Sequence, residues 1–326
     1  MSRVLRGIWL ELRVIPVLLW SASALTLGTA LGARGSDLDV AAYLGAVTLG
    51  LLIQGLLAHC VNEIEDWRSG TDQHDSPRVI SGGSKVLAGG LLSVGEMTAL
   101  FWVALTLTTV LGLSMVVAHG AALLPFGLLG VVGAIAYTQP PLRAAYHPFI
   151  GEAVAFGCLM LCVPGAAVLQ GGDIDAVTVL SSVAVSGYAV AMLMVHHYLD
   201  LEADRAADPP KRTTIVVLGL DRGRRYATAW CAVALAAGAA ASAIEPLLLP
   251  LPIAYCLGLA AHLRCRPDDV VSVTKCEMAI IFSGIGGAMG AAALVEPPLA
   301  LMLLVAAAVI GLELRLAAPP PQERVA

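Results

Sequence analysis

Two short stretches of the chain gather side chains able to hold a cation or to move charge. The first is Asn62-Glu63-Ile64-Glu65-Asp66-Trp67-Arg68-Ser69-Gly70-Thr71-Asp72. Asn62 and Asp66 are four apart, so on a helix they share one face, with His59 one turn earlier. Gly70 permits a turn that brings Asp72 back toward the same spot. The second stretch is His196-His197-Tyr198-Leu199-Asp200-Leu201-Glu202-Ala203-Asp204-Arg205, where His196, Asp200 and Asp204 form another i, i+4, i+8 stripe. If the two stretches face each other, their carboxylates repel unless a cation lies between them. An oxygen-rich site of this kind suits Mg²⁺, which bridges protein carboxylates to substrate phosphates. Arg68, Lys85, Lys211 and Arg212 lie close enough in sequence to take the remaining phosphate oxygens.

These residues must be positioned by helices in lipid. Of the 326 residues 58% are hydrophobic and only 13% charged, with a mean hydropathy of +0.82. A soluble domain carries about 25% charged residues. The apolar excess is spread along the whole chain, which excludes a soluble domain with one anchor. Runs near the roughly 20 residues needed to cross a bilayer fall at about 14–32, 40–64, 96–118, 121–138, 150–170, 174–199, 226–244, 246–263, 276–294 and 297–316. The expected class is all-α, a polytopic membrane protein of nine to ten transmembrane helices in two four-helix-bundle-like halves around a central cavity.

Basic residues set the orientation. With the N-terminus in the cytoplasm, every Lys and Arg except Arg34 falls on the cytoplasmic side, including Arg68, Arg78, Lys85, Arg143, Lys211, Arg212 and Arg324. A multi-pass protein of the plasma (inner) membrane, with its active-site loops in the cytoplasm, is expected. The first span has no small-residue cleavage site and is not a signal peptide. The seven cysteines are scattered singly, with no CxxC pair, and read as packing residues. No nucleic-acid partner is expected; the bilayer is.

The longest polar stretches, 65–95 and 200–225, follow the second and sixth spans, an offset that implies two similar halves. One aspartate in such a loop is most simply a solvated residue. Two motifs of like spacing on equivalent loops favour a joint site, because acids near a bilayer usually face a cavity. Residues 1–12 and 317–326 read as free tails, the latter cut off from the last helix by Pro319–Pro321. Residues 13–295 read as the membrane domain and 296–316 as an added helix.

On these motifs the chain resembles the UbiA superfamily of intramembrane prenyltransferases, which carries an Asn-x-x-x-Asp-type motif after its second helix and Asp-x-x-x-Asp after its sixth. Gly70-Thr71-Asp72, Gly82-Gly83-Ser84-Lys85-Val86-Leu87 and Gly90-Leu91-Leu92 resemble its 1,4-dihydroxy-2-naphthoate (menaquinone) branch. Tyr137-Thr138-Gln139-Pro140-Pro141-Leu142 and Lys211-Arg212-Thr213 resemble further stretches of the family, and the similarity spans about residues 10–295. The chain departs from the family at Glu63, commonly Asp; at His196-His197, commonly an Asn-rich pair; at Asp208-Pro209-Pro210, which lengthens the loop; and in the tenth span.

The resemblance implies Mg²⁺-dependent transfer of a prenyl group from its diphosphate to a small aromatic acceptor, with loss of the acceptor carboxylate as carbon dioxide in the menaquinone branch. It implies Asp66, Asp72, Asp200 and Asp204 as Mg²⁺ ligands, directly or through water, and Asn62 as the group orienting them. Lys85, Lys211, Arg212 and Arg68 would hold diphosphate. Tyr137 and Tyr198 would face the cation or acceptor, or pack at the interface. His196 and His197 would support the metal site or simply end a helix. Other acceptors (a quinone precursor, a tetrapyrrole, a lipid alcohol) and terpene cyclisation without an acceptor fit the same motifs. A secondary transporter is a more distant reading, since the acids sit at helix ends beside basic residues rather than at mid-bilayer.

Overall fold

The computed structural model describes residues 2–73 and 83–317. Arg78, Gly82, Pro319–Pro321 and Arg324, used in the reading above, lie outside the described residues. No strand occurs among the described residues. The apolar runs form α1 (Arg3–Gly32), α2 (Val40–Ser69), α3 (Val94–His119), α5 (Ile150–Leu169), α6 (Ala176–His196), α7 (Thr214–Ile244), α8 (Pro246–Arg264), α9 (Val270–Val295) and α10 (Pro297–Leu316), all long and apolar enough to cross a membrane. A shorter apolar helix, α4 (Ala121–Ala136), joins α3 to the connection before α5. Consecutive helices pack side by side, and α9 closes back on α1. The apolar windows of α1 and α6 are mostly buried, whereas α3 and α10 turn most of theirs outward. Trp102, Val110, Val117 and Leu304 lie on that outer surface, as a lipid-facing side requires.

Small residues set the central spacing. A Cβ on Gly28 would collide with the Val163 carbonyl, and one on Gly32 with the Ala167 carbonyl, so α1 and α5 touch backbone to backbone. Close approach of this kind replaces the hydrophobic drive that lipid removes. Two π-helical segments, Leu18–Ala22 in α1 and Leu51–Ala58 in α2, lie opposite each other. The wider turns disturb the backbone ladder, and side chains complete it: Ser21 N donates to Gln54 Oε1 (3.1 Å) and Ser23 Oγ to the Leu18 carbonyl (2.5 Å).

Residues 1–12, expected to be a free tail, are not one. Ser2 caps a helix over Arg3–Glu11. Its Arg3 bonds the Gly90 and Leu91 carbonyls and pairs with Glu96, while Arg6 bonds the Leu316 carbonyl on α10. Leu10 packs with Ile64, Leu87, Leu92 and Met97. The segment's charges, which break the apolar run, tie it to the connection before α3 and to the first turn of α3. Arg13, in the left-handed region at φ 46°, turns it into the rest of α1.

α7 begins at Thr214, a dozen residues before the expected 226. Thr213 caps it, and Gly219 (φ 73°) kinks the polar first turns that hid it from a hydropathy reading. The second aspartate stripe also differs. α6 stops at His196, a turn follows, and a short helix covers Leu201–Ala206. Tyr198, in that turn, points elsewhere: its buried hydroxyl bonds His262 Nε2 at 2.9 Å on α8.

Because α6 separates them, the 170–175 and 197–213 connections belong to opposite ends of the bundle. Asp173 and Asp208 are both exposed. In sealed vesicles an impermeant maleimide should label Asp208→Cys from one face only and Asp173→Cys from the other only. Labelling of both from the same face would contradict this topology.

Candidate functional site

The two motifs meet. α2 runs through Asn62 and Asp66 to Ser69 and is ended by Gly70 (φ 83°). The connection after α6 returns Lys211 to it, anchored by Asp208 N bonding the Ser69 carbonyl (2.9 Å) and Lys211 N bonding the Asp204 carbonyl (2.9 Å). Lys211 Nζ lies 3.0 and 2.9 Å from the two Asp66 oxygens, so the ammonium sits in the fork of the carboxylate. Asn62 Nδ2 donates to Asp66 Oδ2 at 2.5 Å, and the Tyr146 hydroxyl reaches Oδ1 at 3.5 Å. Arg143 and Lys211 both lie over the Tyr146 ring, at 5.4 and 5.6 Å from its centre.

Both partners of the pair are about 90% buried. Burial opposes the charge on Lys211, but the Asp66 and Asp204 carboxylates outweigh it and hold the ammonium protonated, above the ordinary lysine range. Burial pushes the Asp204 carboxyl up to about 7; Lys211 pulls it down while Asp200 and Asp66 push it further up. Thr213 Oγ1 donates to Asp204 Oδ2 at 3.2 Å. Beside this core lies a second acidic group. Glu63 Oε2 accepts from Ser84 N (3.0 Å), Ser84 Oγ donates to buried Glu11 (2.5 Å), and a Cβ on Gly83 would touch both Glu63 and Asp72.

These groups form the polar mouth of a cavity of about 510 Å³. Arg13, His59, Asn62, Glu63, Asp66, Asp72, Tyr137, His196, His197, Asp200 and Lys211 line that mouth. The body is apolar and ends among Ala46, Met115, Leu123 and Leu169. Asp66 and Ala46 lie at opposite ends of the lining on α2, about 30 Å apart at a helical rise of about 1.5 Å per residue.

Of the residues singled out from sequence, Asn62, Asp66, Asp72, Tyr137, His196, Asp200 and Lys211 line one cavity. Asp204 lies buried behind Lys211 rather than on the wall. Four others are placed elsewhere. Arg68 is exposed and pairs with Glu65 (3.1 Å); Lys85 and Arg212 are exposed and do not line the cavity. Tyr198 points to His262. Long cations next to a motif in sequence need not turn into it when water is available. The sequence reading missed Arg13, Glu11 and Tyr146 as part of the site's surroundings. Glu11 and Arg13 carry a signal, opposite charges at the edge of the first apolar run, with Glu11 falling in the expected tail and Arg13 at the start of the expected membrane domain.

An all-oxygen donor set around a fork already holding one cation fits Mg²⁺ chemically. Among the described residues no group of three acidic, imidazole or thiol side chains is gathered tightly enough to hold an ion alone. That spacing fits an ion sharing its coordination with diphosphate and water.

The family model described as the UbiA prenyltransferase family matches residues 18–271. No curated protein sequence matches the chain significantly. Among solved structures, a UbiA homolog from Archaeoglobus fulgidus bound to GPP and Mg²⁺ superposes with a TM-score of 0.62 at 17% identity, covering 88% of this chain and 99% of that one. The same homolog bound to DMAPP and Mg²⁺ gives 0.58 at 16% identity over the same shares. A structure described for digeranylgeranylglyceryl phosphate synthase in membranes also gives 0.58 at 16%, over 88% and 99%. These likenesses show the fold.

Removing one member of a buried pair leaves the other uncompensated, at a cost of about 3–5 kcal/mol. Lys211→Met should therefore lower the melting temperature in detergent markedly, and Asp66→Asn added to it should recover part of the loss. Additive effects of the two substitutions would contradict the pairing.

Proposed function

The chain belongs to the UbiA prenyltransferase family, and from that premise we propose that it transfers a prenyl group from a prenyl diphosphate to an aromatic acceptor, 1,4-dihydroxy-2-naphthoate in menaquinone biosynthesis, in a Mg²⁺-dependent reaction. The observation that carries this reading is the Asp66–Lys211 pair, which joins the two motifs at the polar mouth of an apolar cavity. The A. fulgidus homolog with GPP and Mg²⁺ supports the donor and the ion. The acceptor rests on the Gly70–Asp72 and Gly82–Leu87 sequence resemblances; Gly83 lies against Asp72 and Glu63 at the mouth. The basic residues on the mouth's connections favour the cytoplasmic face for it.

Asp66, Asp72 and Asp200 would hold the ion, with Asp204 buried behind Lys211 in support and Asn62 orienting Asp66 by its amide. Bound Mg²⁺ supplies Lewis-acid neutralisation of the diphosphate as the allylic C–O bond breaks. Lys211 moves from the Asp66 fork toward the diphosphate oxygens, and the protein thereby exchanges one internal ion pair for one to substrate. Arg13 approaches the same anion from the α1 side of the mouth. Tyr137 presents its ring to the prenyl carbon where positive charge develops. The apolar body holds the tail and keeps water from that carbon. At about 5 Å per extended isoprene unit, four chain bonds of about 1.5 Å each, a depth of about 30 Å takes about six units.

Purified protein or membranes incubated with Mg²⁺, labelled prenyl diphosphates and a panel of aromatic acceptors should yield a prenylated naphthoquinol. A labelled product without an aromatic ring would overturn the acceptor reading in favour of cyclisation or a lipid-alcohol acceptor. Asp66→Asn and Asp200→Asn should each lower turnover per folded molecule about 100-fold or more, with the folded fraction measured because Asp66→Asn also leaves Lys211 uncompensated, and chelation should abolish it reversibly. Near-normal activity in both variants would sink the diphosphate assignment. Gly127 lines the cavity with open space where a Cβ would go. Gly127→Leu should therefore slow long prenyl diphosphates more than DMAPP; equal effects on both would place the tail elsewhere.

A further inference from the structure

Away from the cavity, α7 and α8 pack as an antiparallel pair, with the start of α7 against the end of α8. A groove of about 390 Å³ opens there, lined by Asp221, Arg224, Arg225, Thr228 and Leu263. Two bonds hold its walls together: Arg224 Nη2 donates to the Leu263 carbonyl (2.5 Å), and the Thr228 hydroxyl meets His262 Nδ1 (3.2 Å). Arg205 and Arg266, at the same end of the bundle, are paired with Glu202 and Asp269. Arg224 and Arg225 have no carboxylate within ion-pair distance among the described residues. The depth of the groove is set by the helices. Residues 226–244 of α7 and 246–263 of α8 carry no formal charge and each run about 27–29 Å at about 1.5 Å per residue. Each matches the roughly 30 Å hydrocarbon core of a bilayer. The groove therefore lies at the boundary where lipid phosphates sit. Leu263 is half exposed in it, and Val233 and Leu257 are exposed about two turns nearer mid-bilayer.

We infer that this groove binds the headgroup of an anionic phospholipid, with its phosphate on Arg224 and Arg225 and its acyl chains on the apolar surface below. The site is separate from the prenyl-transfer cavity and does not depend on that reading. A guanidinium has five N–H donors in a planar fork that matches phosphate oxygens two at a time. Arg224 uses part of its fork on Leu263, which fixes its direction, and Arg225 keeps all of its own. Orientation of the chain in the membrane needs only an excess of basic residues on one side. It does not need two unpaired arginines in a groove beside exposed leucine. The charge balance selects the headgroup. Arg222, Arg224, Arg225 and Arg264 stand against one carboxylate, Asp221, within about a turn of the groove along either helix. The ammonium of a zwitterionic headgroup adds a further positive charge beside those arginines, whereas a net anion does not. A soluble phosphate would meet the same arginines but leave the apolar surface unused.

Native mass spectrometry of the purified full chain in detergent, titrated with phosphatidylglycerol or phosphatidylcholine, tests this. Wild type should bind one phosphatidylglycerol about tenfold or more tighter than phosphatidylcholine. Arg225→Gln should weaken phosphatidylglycerol about tenfold, as expected for losing a charge-assisted pair of bonds. Arg68→Gln removes one charge at the same end of the bundle, outside the groove, and should leave that affinity in place. Equal affinity for the two lipids, an unchanged affinity in Arg225→Gln, or an equal loss in Arg68→Gln overturns the proposal, the last because it would reduce the effect to overall charge. Displacement of the lipid by millimolar inorganic phosphate would assign the groove to a soluble anion and also overturns it. Melting in detergent gives a second reading that each variant's own lipid-free value controls for folding. Phosphatidylglycerol should raise the melting temperature of wild type and Arg68→Gln alike and that of Arg225→Gln by less. An equal rise in all three contradicts the site.

Discussion

The structure depends on keeping charge satisfied at the end of an apolar helical bundle. Asp66 is at the last turns of a membrane-crossing helix and is largely removed from water. Alone there, a carboxylate is expensive enough to destabilise the fold or lose its charge. Its partner, Lys211, lies 145 residues away in sequence, on the connection after α6. The chain must therefore close its ring of helices before either charge is compensated. Everything around the pair serves that closure: the Asp208–Ser69 backbone bond, the Asn62 amide, the Tyr146 ring and the Arg143–Glu65 pair at 2.9 Å.

The same constraint shapes the cavity. A buried cation held by a carboxylate is a ready exchange site, since an incoming anion with its own counter-ion can take over both partners without leaving either uncompensated. The apolar body below it has no such demand and is lined mostly by small and aliphatic residues, Gly50, Gly112 and Gly127 among them. Polar mouth and apolar body together fit an amphiphile with a charged head and a long tail. The helix over Arg3–Glu11 belongs to this design too. Through Glu11 and Ser84 it fastens the 83–92 connection against Glu63, beside the mouth.

Much of this was legible in the sequence because lipid imposes strong rules on composition. The apolar runs marked nearly every helix, and the spacing of Asn62 and Asp66 placed them on one face of α2, where they are. Lys211 was marked by its proximity to the second motif. What stayed hidden depends on contacts between distant segments. Tyr198 does not line the cavity and instead meets a buried partner, His262 on α8. Arg68, Lys85 and Arg212 have the right charge but turn outward. Glu11 and Glu277 are single acids inside or beside apolar runs, and only packing shows that each is enclosed and which group it meets. The polar first turns of α7 hid because hydropathy does not report helices whose first turns lie beyond the lipid.

The central claim is that the Asp66–Lys211 pair marks a site for a diphosphate and its Mg²⁺. Isothermal titration of the purified protein with an unreactive prenyl thiolodiphosphate tests it most directly, with and without Mg²⁺ and in wild type and Lys211→Met/Asp66→Asn. Binding should require Mg²⁺ in wild type and weaken about 100-fold or more in the double variant, in line with losing two charge-assisted contacts. Equal affinity in the double variant, or binding in wild type that ignores Mg²⁺, would contradict the account.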